Sequence, residues 1–235
     1  MLSLMRTMMS QGEQLMDLVV LRGSVLTVQR NALIQRMRGD WILFIDDDMQ
    51  WDPGAVHALL QTKQELEGAG IFPDILGGLC VRRAPPHQPT LYTKTDHGYA
   101  LIEDWGEDGV QEVDATGMAF ALVTRDCIER LTGGPMPPFE DRIAEPNVPD
   151  FFKWYGQLGE DLRFCQDVRE AGGRIMVDTR VRTRHIGEKA FGYDDYLREF
   201  ATRTADELDK RKAINDAAGL PTLMPSSAME KLRDE

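Results

Sequence analysis

The sequence predicts an α/β fold, a mixed and mainly parallel sheet with helices on both faces. Short continuous apolar runs recur at 41–45, 75–81 and 117–123. Each reads as a strand covered on both faces, as strands of layered α/β proteins are. Between and after them lie segments with apolar residues at helical spacing, at 53–68, 125–131 and 160–171, which supply the covering helices. The run Trp41-Ile42-Leu43-Phe44-Ile45 stops abruptly at Asp46-Asp47-Asp48, at the carboxyl end of a strand, where open α/β sheets bind ligands.

Three adjacent anions repel one another and need a cation or strong solvation. In an extended backbone Asp46 and Asp48 would point to the same side. One divalent metal held between them, together with a diphosphate, would relieve the repulsion, since hard cations take oxygen ligands and share them with substrate phosphates. The competing reading is a solvated turn after a strand, with the turn residues Asp52-Pro53-Gly54 close behind.

Composition narrows the class. The chain has 235 residues, with 42% hydrophobic and 28% charged, ordinary values for a globular protein. A net charge of −12 tilts against a dedicated nucleic-acid binder, which would carry a basic footprint. Cys80, Cys127 and Cys165 are odd in number and widely spaced. They match no zinc or disulfide framework and read as small core residues in a reducing compartment. No apolar stretch is long enough to span a bilayer, and a signal peptide is not recognisable. A cytoplasmic location is therefore expected.

In chain order, 3–14 reads as a helix with an apolar stripe of Leu4, Met5, Met8 and Met9, and Leu18-Val19-Val20-Leu21 as a short strand. A second helix fits 28–38, with Ala32, Leu33 and Met37 inward and Gly39 at C′. Arg30 lies near its start, where a guanidinium and a helix N-terminus could both meet a phosphate; a surface arginine is the alternative. Residues 53–68 form a helix with Pro53 near N1. Glycines in the 75–81 strand suggest close approach of backbone or ligand. Residues 82–112 read as two antiparallel strands and loops, with Tyr92, Tyr99 and Trp105 offering acceptor contacts or mere surface decoration.

The strand at 117–123 leads to a helix at 125–131 closed by Gly133-Gly134. Residues 134–157 hold five prolines, with Phe139, Phe151, Phe152, Trp154 and Tyr155, and read as a lid or as a packed connection. Glu160 and Asp161 open the next helix. Acidic residues in a first turn favour the helix dipole; the sharper reading makes Asp161 a base. A strand over 174–184 ends at His185-Ile186-Gly187. A lone histidine is more often structural, but a neutral imidazole at a strand end would suit Mn²⁺ as a third ligand. A charged amphipathic helix over 194–217 reads as a docking or oligomerising element. Residues 1–192 and 193–235 are expected as separate domains.

These pieces resemble a known family. Ile45-Asp46-Asp47-Asp48-Met49 after an apolar strand, then Trp51-Asp52-Pro53, is similar to the Asp-x-Asp region of GT-A glycosyltransferases, nearest to family-2-like enzymes. Thr116-Gly117-Met118-Ala119-Phe120 followed by Arg125 is similar to their middle strand. Gly159-Glu160-Asp161-Leu162-Arg163-Phe164-Cys165, then Ala171-Gly172-Gly173 and His185-Ile186-Gly187, resembles their acceptor-side helix and closing strand. The resemblance spans about residues 25–190.

It implies a transferase that moves a sugar, with inversion, from a UDP- or GDP-linked donor to a hydroxyl of a glycan, protein or small molecule. A divalent cation, Mn²⁺ or Mg²⁺, is implied at Asp46, Asp48 and His185. Asp161, with Glu160 beside it, takes the place of the catalytic base, while Arg30, Asp46, Asp47, Gly117 and Trp154 fall on the substrate side. No nucleic-acid partner is expected, and the C-terminal helix could join two copies. Family members begin with a nucleotide-binding strand, whereas this chain opens in the helix that follows it. The first strand is thus expected to be lacking, with an exposed edge beside the strands at 18–21 and 41–45. Two other readings stay open: a nucleotide- or glycan-binding module without turnover, and a metal-dependent phosphohydrolase, against which Asp48 is followed by Met49-Gln50 rather than a threonine.

Overall fold

The computed structural model describes residues 17–218, apart from 24, 145–149, 155, 157, 188 and 189. The helix expected over 3–14 lies outside the described residues. The elements are α1 (Leu26–Gln35), β1 (Trp41–Ile45), β2 (Met49–Trp51), α2 (Ala55–Gly68), β3 (Ile75–Leu79), β4 (Leu91–Thr95), β5 (Gly98–Leu101), β6 (Val110–Val113), β7 (Ala115–Thr116) and β8 (Phe120–Thr124). Then follow α3 (Arg125–Thr132), α4 (Phe139–Ala144), α5 (Glu160–Glu170), β9 (Ile175–Ile186), β10 (Ala190–Phe191) and α6 (Tyr193–Ala218).

A seven-stranded sheet has the path β1-β8-β3-β9-β10, with β2 and β6 also laddered to β9, and β4, β5 and β7 form a second, three-stranded sheet. The main sheet is mixed but mostly antiparallel. Among the described strands only β3 and β9 run parallel; β8 lies antiparallel between β1 and β3. This corrects the mainly parallel expectation. A continuous apolar run reports cover on both faces, and antiparallel β8 is buried along its whole length just as β3 is.

Alternate residues of these strands feed two cores. Ile75, Ala121, Val123, Ile175 and Val177 pack with Ile34 of α1, Cys127 and Ile128 of α3, and Phe164, Cys165 and Val168 of α5. Leu76, Phe120, Leu122 and Met176 pack with Val56, Leu59 and Leu60 of α2. Helices therefore cover both faces, as the period-two alternation of side chains requires. Gly78 lies where β3 and β9 shift register, and a Cβ there would meet the Val181 carbonyl oxygen at 2.9 Å. Backbone, rather than ligand, is what approaches this glycine. All three cysteines are free and buried.

Several boundaries differ from expectation. Residues 18–21 form no strand; Leu18 and Val20 are exposed and no ladder partner holds them. β1 ends the path, and no described residue pairs with its other edge. Helix α1 runs over 26–35, and its buried residues are Thr27, Arg30, Asn31 and Ile34; of the expected inward residues, Leu33 is half-buried against the core and Met37 is buried but lies just beyond the helix. The Arg36 and Met37 amides take the Leu33 and Ile34 carbonyls, both at 3.0 Å, and arginine side chains take the acceptors at and just beyond the helix end. Arg142 donates to Gln35 at 3.2 Å and to Met37, and Arg125 donates to Arg38 and Gly39 at 2.8 and 2.7 Å. The orphan C-terminal acceptors of a helix need such donors. Helix α4, which supplies Arg142, occupies part of the stretch read as a loop.

Contacts group the chain into two compact units, Met1–Tyr193 and Asp194–Glu235. In the second, Tyr196 and Phe200 stack one turn apart at 5.8 Å, and Arg198 pairs with Asp195 at 2.8 Å. No described helix is long and apolar enough to cross a membrane.

Candidate active site

The acidic run is a tight turn between β1 and β2. The Met49 amide donates to the Asp46 carbonyl at 3.2 Å, and the Asp46 amide donates to Ala119 at 3.1 Å. The backbone is thus not extended there, and Asp46 and Asp48 are not forced to one side as the sequence suggested. Each has its own cation. Asp46 accepts from Arg30 Nη2 at 3.1 and 3.3 Å, and Asp48 Oδ2 lies 3.5 Å from Arg83 Nη1. Asp47 is exposed.

The β2–β9 ladder brings the distant histidine to this turn. Met49 is paired with His185, and the Ile186 amide donates to the Asp48 carbonyl at 2.6 Å. His185 Nδ1 lies 2.7 Å from the Val81 carbonyl oxygen. A carbonyl only accepts, so Nδ1 is the donor, and in the neutral ring this arrangement places the lone pair at Nε2, the tautomer a metal ligand needs. Among the described residues no three His, Cys, Asp or Glu side chains are grouped to hold a metal by themselves.

Arg30 sits in mid-helix, not at the helix N-terminus, and it is 3% exposed. Its Nη1 donates to Glu160 Oε1 at 2.9 Å while its Nη2 holds Asp46. The planar guanidinium presents two donor edges in fixed directions, so one side chain spans the strand end and the start of α5. Phe152 lies under it, 5.5 Å from the guanidinium carbon. Phe152 in turn stacks on Phe164 at 4.4 Å and meets Phe44 edge-on at 5.5 Å.

Glu160 and Asp161 occupy the first turn of α5, where Gly159 provides no side-chain cap. Their charges meet the positive end of the helix. Glu160 is buried. Burial pushes the Asp161 carboxyl above its usual 3.8, and the Glu160 charge adds to this; the Leu162 amide and Arg30 pull in the opposite direction. Desolvation and a neighbouring like charge both penalise the ionised form, which makes the carboxylate a stronger base once ionised.

Gly117 precedes β8 rather than lying in it; the strand starts at Phe120, and the intervening Ala119 carbonyl binds the Asp46 amide. Trp154 is 65% exposed, whereas Phe151 and Phe152 are core residues. Phe151 and Phe152 are therefore packed down, while Trp154 is not. The clamp on Phe152 is Asn31, which the sequence reading passed over. Asn31 Nδ2 donates to the Phe152 carbonyl at 2.9 Å, and its Oδ1 accepts from the Phe152 amide at 2.8 Å. The adjacent Arg30 drew attention instead, and nothing in spacing marks an amide that mimics a strand partner. Arg83 was missed as well, and Tyr92 was named only for acceptor contacts or surface decoration. Burial raises the Tyr92 hydroxyl above its usual 10, the Asp161 charge adds to that, and Arg82 opposes it, so this phenol shares the electrostatic surroundings of Asp161. The sequence signal for it was an aromatic residue in an otherwise polar stretch.

The structure thus gathers Arg30, Asp46, Glu160 and Asp161 in one cluster, with Asp48 and His185 on the same turn and its ladder. A separate cavity of about 430 Å³, lined by Asp17, Leu18, Arg36, Arg38 and Phe139 among others, contains none of these residues.

A family model described as glycosyl transferase family 2 matches residues 19–126. Among solved structures, the crystal structure of A197 from STIV is similar over 83% of this chain and 84% of that chain, at 20% identity and a TM-score of 0.50. No curated protein matches the chain in sequence. The family match and the structural likeness together support a family-2-like GT-A fold. The family match supports a glycosyl-transfer function. Arg30, Asp46, Asp47, Asp48 and Gly117 lie inside the matched residues; Trp154, Glu160, Asp161 and His185 lie beyond them and rest on the geometry alone.

Proposed function

We propose that the chain transfers a sugar from a nucleoside-diphosphate sugar to an acceptor hydroxyl with inversion, using Asp161 as the base. The observation that carries this reading is the Arg30 bridge. It joins the carboxylate at the end of β1, where the donor belongs, to the turn that holds Asp161, where the acceptor belongs. The buried Arg30–Glu160 pair, next to a carboxyl whose pKa burial raises, favours this reading over a binding module or a phosphohydrolase.

Asp161 takes the proton of the acceptor hydroxyl while its oxygen attacks the anomeric carbon. The bond from that carbon to the diphosphate oxygen breaks, and the electron pair leaves with the diphosphate. A base with a raised pKa is better matched to proton removal near neutral pH than an ordinary aspartate. Asp46, fixed by Arg30, orients the nucleoside side of the donor, and exposed Arg83 lies beside Asp48 where the diphosphate would sit.

A divalent cation fits Asp48 and His185. The Asp48 side chain is one-third exposed, and the His185 tautomer leaves Nε2 free to ligate. Such mixed oxygen and imidazole donors suit Mn²⁺, with Mg²⁺ the alternative. Asp46 is committed to Arg30, so two protein ligands would leave the other positions to diphosphate and water. The ion would supply charge neutralisation of the leaving diphosphate.

Calorimetric titration of UDP and GDP, with and without Mn²⁺, tests the donor site. Metal-dependent binding of one nucleotide that is lost in Asp48→Ala is expected. Binding of neither by the folded chain would refute the donor assignment. Full sugar transfer by Asp161→Asn would remove Asp161 from the role of base.

A further inference from the structure

We infer that Arg30 is a positioning residue that mechanically couples the donor-side carboxylate Asp46 to the acceptor-side turn Glu160–Asp161. This rests on the transferase reading above and deepens it: donor binding at one end of the guanidinium would set the base at the other.

The two carboxylates are remote in sequence and belong to different elements, yet each is bonded to a different nitrogen of the same rigid group, at 2.9 Å for Glu160 and 3.1 Å for Asp46. A guanidinium cannot bend between its nitrogens, so displacement of one carboxylate rotates the plane seen by the other. Arg30 and Glu160 side chains are 4% and 8% exposed, so no water shell cushions the link, while Asp46 at 30% remains open to a ligand. One end of the bridge is therefore accessible and the other is enclosed.

Stability alone does not account for the arrangement. A buried ion pair gains little net free energy over an apolar replacement of similar volume. Among the described residues the buried Arg30 Nε hydrogen has no acceptor, an omission that costs stability. The orientation satisfies the two carboxylates at the expense of Nε, which is what a group selected for its two outer contacts would do. Phe152 packs beneath it and Asn31, one residue on, clamps the Phe152 backbone. The bridge is consequently held from below and can pivot only through its carboxylate partners.

Coupling of this kind is reciprocal, and two measurements test it on the full chain. The first needs no ligand: amide hydrogen exchange in Asp46→Asn. Exchange over the first turn of α5 (160–163) is expected to quicken by at least about fivefold, with α2 unaltered as the control for general loosening. Unchanged exchange in that turn, or equal acceleration in α2, overturns the inference.

The second is a double-mutant cycle on the affinity for UDP or GDP, whichever the parent binds, using Asp46→Asn, Glu160→Gln and the pair, each checked for fold by circular dichroism. The effects are expected to depart from simple multiplication by at least about fivefold. Independent, multiplying effects overturn the inference. If the parent binds neither nucleotide, the donor reading fails while the exchange result alone decides the coupling, so the two failures are told apart.

Discussion

His185 lies directly across the ladder from Met49, the residue after Asp48, with its Nδ1 hydrogen given to the carbonyl of Val81. A side chain from the last long strand is thus delivered to the acidic turn with its tautomer fixed. His185→Asn should leave the fold intact and weaken Mn²⁺ affinity, measured in the presence of the bound nucleotide, by at least about tenfold. Metal affinity equal to that of the parent would leave His185 a purely structural residue.

The raised pKa of Asp161 gives a stability prediction with a definite sign. The folded chain holds this proton more tightly than the unfolded chain, so stability is greatest below the usual 3.8 and falls as pH rises through the raised value. Above that window the ionised carboxylate carries its full desolvation cost. Asp161→Asn lacks the cost and should unfold at a higher temperature than the parent at neutral pH, with the difference closing as pH falls through 3.8. Thermal scans across that range decide it, and a variant less stable at neutral pH would contradict the assignment.

Asp178 shows the reverse sign. It is buried on β9, and burial works against its charge, but hydrogen bonds from Arg180 and from Thr62 Oγ1 at 2.6 Å outweigh it and hold its pKa below 3.8. Its contribution is present above 3.8 and is lost as pH falls through the lowered value. Thr62→Val removes the buried donor and should cost about 1–3 kcal/mol in urea unfolding at neutral pH, with a smaller penalty in acid once Asp178 is protonated.

Gly78→Ala should destabilise by about 1–3 kcal/mol. The added methyl would meet the Val181 carbonyl oxygen at 2.9 Å and the Phe120 ring and a Val181 methyl at 3.1 Å. Gly77→Ala is the contrast, because its nearest neighbours stand at 3.4 Å or beyond. Equal unfolding midpoints for the two variants would show that β3 can shift to make room.

Much of the layered architecture was legible because continuous apolar runs require cover on both faces, and the structure divides Ile75 from Leu76 and Val123 from Leu122 between the two cores. Strand direction was not, since cover on both faces is the same for a parallel and an antiparallel neighbour. The site was legible where chemistry and position coincide in one stretch, as at Asp46-Asp47-Asp48 and Glu160-Asp161. It was not where function depends on a long-range partner. Arg30 was placed at a helix start and left between a phosphate contact and a surface arginine; its partner Glu160 is 130 residues away, beyond any local pattern. Arg83 and Asn31 were missed for the same reason, because each acquires meaning only from the backbone or carboxylate that folding brings beside it. The 18–21 run failed differently: its residues suit a strand, but a strand exists only by virtue of its neighbour.

The buried cysteines have a practical consequence. Burial pushes the Cys80 and Cys165 thiols up to about 12, so neither forms the thiolate that alkylating dyes attack. Cys80 also touches the Thr183 hydroxyl beneath the acidic turn, and Cys165 touches the backbone of Thr116 beside α5. Dye uptake by the native chain would therefore be silent until the sheet opens, giving a built-in clock for opening at the two walls of the site without adding a label to either.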